Sequence, residues 1–243
     1  MILRRAECGT GPSCPTIERV DGGYELIGYR RDAPDLPEDE SRIFWPDSAQ
    51  MVPELADLHI ADLGDYLRQR RRAPGDLLRV QTLAYYGVPS DDEDYLRYVN
   101  GQSVPLSPHR EPWYAQLRSE RAAGQIWRNV HVVDLPLNDY LRYQFEWCYT
   151  SNVEAGMEVR VLDTTTRPEA RVMLTAGDFY VIDGHEIVLM RYADDGRYLS
   201  AVGAGASSTQ GYTALAELAW EMSIPFTDWW ASHPQYHRAS CDA

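Results

Sequence analysis

Residues Asp178–Val202 read DFYVIDGHEIVLMRYADDGRYLSAV, and this stretch decides the fold class. Phe179–Ile182 and Glu186–Tyr192 are strand-forming runs on either side of Asp183–Gly184, a dipeptide that accepts the positive φ angles of a tight hairpin turn. A second turn at Asp194–Asp195–Gly196 leads into Arg197–Val202. The three runs make an antiparallel meander. Working outward, Gly203 to Gly211 reads as a small-residue loop. A final helix from Tyr212 carries Leu215, Leu218, Ala219 and Met222, stops before Pro225 and leaves Trp229–Trp230 near the end.

Upstream, Trp127–Val133 alternates as a strand, with Val130 and Val132 on one face and His131 on the other. Asn138 is placed to cap a long helix from Asp139 to about Val153. Its core stripe is Leu141, Phe145 and Cys148, and Tyr140, Tyr143 and Trp147 form a second aromatic stripe that predicts burial on more than one side. Val159 and Val161 alternate with Glu158 and Arg160 in the next strand. Earlier still, Asp57 to Arg72 reads as a helix with Leu63, Tyr66 and Leu67 on one face. Ser90 and Glu93 read as a capping box opening a short helix that stops at Asn100–Gly101. Pro112 suits the start of another helix, closed by Gly124. The expected class is α+β: a mostly antiparallel sheet packed by three to four helices, with an N-terminal β-hairpin appendage.

The expected organisation runs from a hairpin segment at residues 1–31, built from Thr16–Val20 and Tyr24–Tyr29 around Asp21–Gly22–Gly23, to an acidic, Pro-containing linker at 32–58. The main α+β domain follows at 59–231 and a tail at 232–243. A chain of 243 residues suits one main domain with an appendage. No apolar run approaches the ~18 residues of a membrane helix, and Arg4, Arg5 and Glu7 break up the N-terminus, so a cytoplasmic protein without membrane contact is expected.

All 23 basic residues are Arg, which excludes a Schiff-base lysine, a phosphate-loop lysine and a His-x-Lys phosphodiesterase pair. Against 37 acidic residues the net charge is −14, so direct nucleic-acid binding is not expected. The Arg68–Arg72 run reads as a solvated helix end complementing the macrodipole. Cys8, Cys14, Cys148 and Cys241 are too few and too scattered for a disulfide framework, and five residues between Cys8 and Cys14 do not fit a zinc knuckle. Asp91, Asp92 and Glu93 read as helix-start acids. Neither a metal nor a cofactor is expected. No nucleophile-elbow, dinucleotide or phosphate-loop pattern occurs.

The densest polar set is Asp139, Arg142 and Asn152 on the helix with Glu158 and Arg160 on the strand after it. Asp139 and Arg142 share a helix face, and Arg142 beside Tyr143 is an arginine on an aromatic shelf, a frequent anion or partner contact. His131 is placed to face a pocket opposite its valines, and His185 reads as an exposed turn residue. Arg142, Asp139, Tyr143, Glu158, Arg160 and His131 are therefore the candidate ligand- or partner-binding residues.

Pro112-Trp113, Val130-His131-Val-Val-Asp-Leu-Pro136, Asp139-Tyr-Leu-Arg142, Asn152, Ala155-Gly-Met-Glu158, Arg160, Asp178–Asp183 and Met190–Gly196 together resemble an uncharacterised family of high-GC Gram-positive bacteria. The resemblance spans roughly His59 to Trp230. Its members are encoded beside helix-turn-helix regulators and small acidic companion proteins, and the segment from Cys14 to Tyr29 is similar to a short hairpin protein of the same neighbourhoods. The domain also faintly resembles phosphodiesterase-like sensor half-domains, without their His-x-Lys pair. The resemblance implies a non-catalytic regulatory or binding protein acting with a helix-turn-helix partner, whose basic surface suits an acidic chain, and leaves room for a small-molecule ligand. The competing expectation is an enzyme of specialised metabolism using carboxylates and His131 in a Tyr/Trp-lined cleft.

Overall fold

The computed structural model describes residues 63–70, 76–102 and 108–238, together with the backbone of five strands between residues 2 and 60. Those strands are β1 (Ile2–Arg4), β2 (Thr16–Val20), β3 (Gly23–Tyr29), β4 (Glu40–Pro46) and β5 (Leu55–Ile60). There follow α1 (Leu63–Arg70), β6 (Asp76–Gln81), α2 (Pro89–Val99), α3 (Glu111–Ala122) and β7 (Ile126–Val133). One continuous helical rod is built from α4 (Asp139–Tyr143), a π-helical turn (Gln144–Tyr149) and α5 (Thr150–Glu154). After it come β8 (Glu158–Asp163), a 3-10 segment (Pro168–Ala176), β9 (Phe179–Ile182), β10 (Glu186–Tyr192) and β11 (Tyr198–Ala204). The chain closes with α6 (Ala206–Met222), β12 (Ile224–Pro225) and α7 (Phe226–Ser232).

The fold is α+β. The main sheet has the order β12-β8-β7-β6-β9-β10-β11-β5, and β1 to β4 pair in sequence in a second sheet. The meander forms as the sequence predicts: β10 pairs antiparallel with β9 and with β11. Asp183 and Gly184 both take positive φ between the first two strands. The sheet is mostly antiparallel, with one parallel section, because β6, β7 and β8 run in the same direction. At β6 the pattern switches: β7 is its parallel neighbour and β9 its antiparallel one.

Alternation along the strands sends side chains to two faces. Val80, Val130, Val132, Leu162, Phe179, Val181 and Leu189 meet Leu215, Leu218, Ala219 and Met222 of α6 on the first face. The other face carries two separate packs. Val133, Val159 and Val161 lie against the helical rod and α7, burying Leu141, Phe145, Trp147 and Trp229. Leu77, Tyr180, Ile182, Val188 and Ala201 lie against Leu67 of α1. Both stripes expected on the rod, the core stripe and the aromatic one, are buried, and Asn138 caps it by accepting the Leu141 amide at 2.8 Å.

Several boundaries differ from the sequence reading. Strand β6 is an addition to the elements read from the sequence; its only local mark is the brief alternation Leu78-Arg79-Val80-Gln81. The stretch 32–58 contains β4 and most of β5; Ile43, Phe44 and Trp45 are residue types that favour strands, which the acids before them obscured. The helix expected from Asp57 starts only at Leu63, because Leu55–Ile60 pairs with β11. Helix α2 starts at Pro89 after Val88, so Ser90 falls within its first turn instead of capping it. Gly203–Gly211 is strand end and helix start rather than loop, as Gly205 alone separates β11 from α6. Residues 232–238, expected as tail, pack on the rod and the end of α2: Arg142 Nε donates to the Tyr236 carbonyl (3.1 Å) and Arg238 to the carbonyls of Tyr98 and Gln102. The linker acids Asp32, Asp35, Glu38 and Asp39 and the cysteines Cys8, Cys14 and Cys241 lie outside the described residues.

The loop after β6 docks on the β10–β11 turn at a glycine contact. Gly87 N donates to the Gly196 carbonyl at 3.0 Å. Gly196 has φ 77°, and a Cβ there would stand 2.7 Å from the Tyr85 carbonyl oxygen. Gly101 has a similar φ of 73° with nothing within 4 Å. In urea unfolding, Gly101→Ala should cost the ~1 kcal/mol of left-handed strain alone. Gly196→Ala should cost about 2–4 kcal/mol, since strain and a backbone clash combine. Equal losses would contradict the close docking of this loop.

Candidate functional site

The crossover that leaves β6 runs toward β7 and places its helices over that half of the sheet. Over β9 and β10 it is α1 that packs, through Leu67 against Tyr180, Ile182 and Val188. Between the two packs a half-open cleft of about 280 Å³ remains. Arg79 and Gln81 of β6 and Met190 and Tyr192 of β10 line it, with Leu63 on the α1 side. Tyr86 and Val88 of the loop, Asp91 of α2, Tyr140 of α4, Gln144 and Tyr198 complete the lining.

Asp178 lies behind this lining, and it is 2% exposed. The pairing Val80↔Phe179 brings it alongside the end of β6. Its Oδ1 accepts from the Thr82 amide at 2.8 Å and the Thr82 hydroxyl at 3.1 Å. Its Oδ2 accepts from the Tyr86 hydroxyl at 2.8 Å, Arg79 Nη2 at 3.2 Å and the Tyr192 hydroxyl at 3.3 Å. Arg79 Nη2 also donates to the Tyr192 hydroxyl at 3.2 Å. The guanidinium carbon sits 5.5 Å from the ring centroids of both Tyr86 and Tyr180, a double cation–π arrangement. Burial works against the Arg79 charge, but Tyr180, Tyr192 and Asp178 outweigh it and hold the guanidinium protonated. Burial, then the Asp178 charge, pushes the Tyr86 hydroxyl well above its ordinary range.

A row of polar side chains continues under the floor. Gln81 stands opposite His131, and Arg79 opposite Asn129, in the parallel β6–β7 register. His131 is 0% exposed, with Nδ1 2.7 Å from the Tyr149 hydroxyl and Nε2 3.0 Å from the Leu83 carbonyl. A carbonyl only accepts, so Nε2 carries the proton. Burial pulls the imidazole down to about 4, against the opposing pull of the Leu83 bond. The Tyr149 hydroxyl is also 2.9 Å from Gln81 Oε1. His131 thus faces the side opposite its valines, as expected, but sits beneath the cleft instead of lining it.

Arg110 performs a similar service on the far wall. Its Nη2 donates to Asp91 Oδ1 and the Tyr143 hydroxyl, both at 2.6 Å, and its Nε to the buried Asp94 at 2.8 Å. Asp91 Oδ2 accepts from Tyr140 at 3.2 Å, so its carboxylate is held on both oxygens. Cys148, a buried free thiol, is pushed up to about 11 by burial, with Arg110 3.4 Å away drawing it the other way.

The candidate residues from the sequence are dispersed by the fold. Asp139 is exposed and pairs with Arg142 at 3.6 Å, while Arg142 reaches back to the Tyr236 carbonyl. Tyr143 is buried against Arg110. Glu158 pairs with Arg121 and Arg128 on the opposite sheet face. Arg160 donates to Ser223 Oγ at 3.0 Å and lies over the Trp220 ring. His185 is an exposed turn residue bonded to the Asp183 carbonyl. Sequence reasoning missed Arg79, Gln81, Tyr86, Gln144 and the role of Asp178. The one signal that could have found Arg79 and Gln81 is their position in a short strand whose alternate residues, Leu78 and Val80, are apolar.

Helices on both faces and a tyrosine-lined cleft on one of them define a three-layer α+β domain with a recess at the switch in strand direction, a common place for ligands in open sheets. The chain belongs to the DUF6879 family, described as a domain of unknown function, whose pattern matches residues 62–231 and so includes every residue lining the cleft. No curated protein matches the chain.

The His131 shift has a pH consequence. The folded state keeps the ring neutral down to about pH 4, whereas the unfolded chain protonates it near 6.5. Between these values the unfolded state binds the extra proton, so its contribution is complete above pH 6.5 and is lost as pH falls toward 4. The loss amounts to roughly 3 kcal/mol. Urea unfolding at pH 7.0, 5.5 and 4.5 should show His131→Gln to be the weaker protein at pH 7.0 and the less acid-sensitive one. Parallel pH dependence in the two proteins would contradict the sealed, neutral imidazole.

Proposed function

We propose that this chain is a non-catalytic binding protein that takes a small molecule in the cleft and acts with a helix-turn-helix DNA-binding partner. One observation carries the reading: the proton-transfer groups around the cleft are spent on building it. Asp178 holds five donors and is sealed from solvent, and His131 is closed off beneath the floor. Asp91 is held by Arg110 and Tyr140. Such fixed, fully bonded polar groups suit recognition, since pre-organised donors and acceptors lower the cost of ordering on binding.

The partner follows from charge and surface. A net charge of −14 complements the basic surface of a DNA-binding protein and repels DNA itself. Tyr85, Val88, Tyr198 and Leu199 are exposed around the loop and turn at the mouth of the cleft, where a partner would sense its contents. No helix among the described residues is long and apolar enough to cross a membrane. The reading places the pair in the cytoplasm, where Cys148 stays a thiol.

Affinity purification of the tagged chain from its native host, read by mass spectrometry for proteins and small molecules together, tests this. A helix-turn-helix protein in near-equal amount, reduced by Leu199→Arg, is the expected result. Recovery of neither a DNA-binding protein nor a bound small molecule contradicts the reading, as does conversion of the recovered molecule by the purified chain.

A further inference from the structure

We propose that the cleft selects a small aromatic carboxylate, its ring laid along a tyrosine wall and its acid group turned toward Arg79. This rests on the binding reading above and names the ligand class. The rings of Tyr140, Tyr86, Tyr192 and Tyr198 follow one another with centroid spacings of 6.4, 5.7 and 6.0 Å. All four line the cleft, with successive rings turned 45°, 72° and 73° from one another, so ring faces and edges alternate along one wall and a flat ligand ring can meet them edge-to-face. The volume of about 280 Å³ lies just below the range of drug-sized pockets, which begins near ~300 Å³. One ring or two fused rings fit within this volume.

Charge then selects among flat ligands. An aromatic wall near an acid often collects cations. Here that role is taken, because Arg79 already lies over Tyr86 and Tyr180. A second cation would meet this resident charge, whereas a carboxylate would complement it. Asp178 does not cancel the attraction, since four neutral donors from Thr82, Tyr86 and Tyr192 share its charge with Arg79 and it is shielded from the cleft. On Arg79 itself, Nη2 is divided between Asp178 and Tyr192, and Nε has no hydrogen-bond partner.

The helical rod adds a second polar point, one turn on from Tyr140. Gln144 opens the π-helical turn, a distortion that is frequent at functional sites, and it lines the cleft. Its Oε1 is buried without a hydrogen-bond partner. An unmatched amide so close to the cleft fits a ring hydroxyl or N–H on the ligand. The recognised molecule is thus a flat acid with a hydrogen-bonding substituent on its ring.

Three probes of equal shape separate the alternatives by calorimetry on the full chain: hydroxynaphthoate, hydroxynaphthamide and hydroxynaphthylmethylammonium. The acid should bind at least tenfold tighter than either other probe, and Tyr198→Ala at the rim should weaken it about tenfold. Gln144→Glu, which sets a carboxylate against the ligand without touching the Arg79–Asp178 pair, should weaken the acid and leave the amide nearly unchanged. Equal or tighter binding of the amide or the ammonium ion overturns the assignment while leaving a binding cleft in place. No binding by any of the three, or binding of the acid that neither variant alters, overturns the assignment as well. The host purification above decides separately whether the cleft holds a different molecule.

Discussion

The buried carboxylate of Asp178 is the constraint on which the cleft depends. It stands just before β9, beside the end of β6, and draws five donors, four of them from residues 79–86 and one from Tyr192. Thr82 and Tyr86 fix the loop after β6, Arg79 fixes the floor, and Tyr192 ties in the end of β10. An isolated charge at this depth would cost several kcal/mol, so each donor is needed. Because the donors are also the cleft's lining or its support, satisfying one buried acid sets the position of Arg79, Tyr86 and Tyr192 together.

The strand directions make room for that arrangement. Helices of a parallel crossover cover the sheet on the side of the next parallel strand. At β6 the next strand on the other side is antiparallel, and its face is covered by α1, the helix that precedes β6 in the chain. The two packs leave a recess over β6 and β10. The polar row Arg79, Gln81, Asn129 and His131 lies at this boundary, where an apolar row would serve stability better and leave less to recognise. The π-helical turn adds to the same boundary by presenting Gln144 to the recess.

Local signals carried much of the fold. The Asp183–Gly184 turn, the Asn138 cap and the two buried stripes of the rod depend on neighbours within a few residues, and each is legible in the sequence. Strand β6 was less so, because its alternation, Leu78-Arg79-Val80-Gln81, covers only four residues and has no turn signal of its own beside it. The early start of α6 was hidden by Gly205 and the small residues after it. The site was less legible still. Asp178 meets Thr82, Tyr86 and Arg79 across 92 to 99 residues, and no spacing rule reports such a contact. Arg142 and Arg160 drew attention as charges among aromatics. Their partners, the Tyr236 carbonyl and Ser223, come from chain segments that only the fold brings near.

The central claim is that one buried charge organises the cleft, and unfolding of Asp178→Asn by urea at pH 7 tests it most directly. The substitution keeps the shape but removes the charge and sets an amide group against donors it cannot accept from. The account predicts a loss of about 3 kcal/mol or more, as expected when a buried ion pair loses one partner. A loss within ~0.5 kcal/mol, the size of an ordinary surface change, would contradict it.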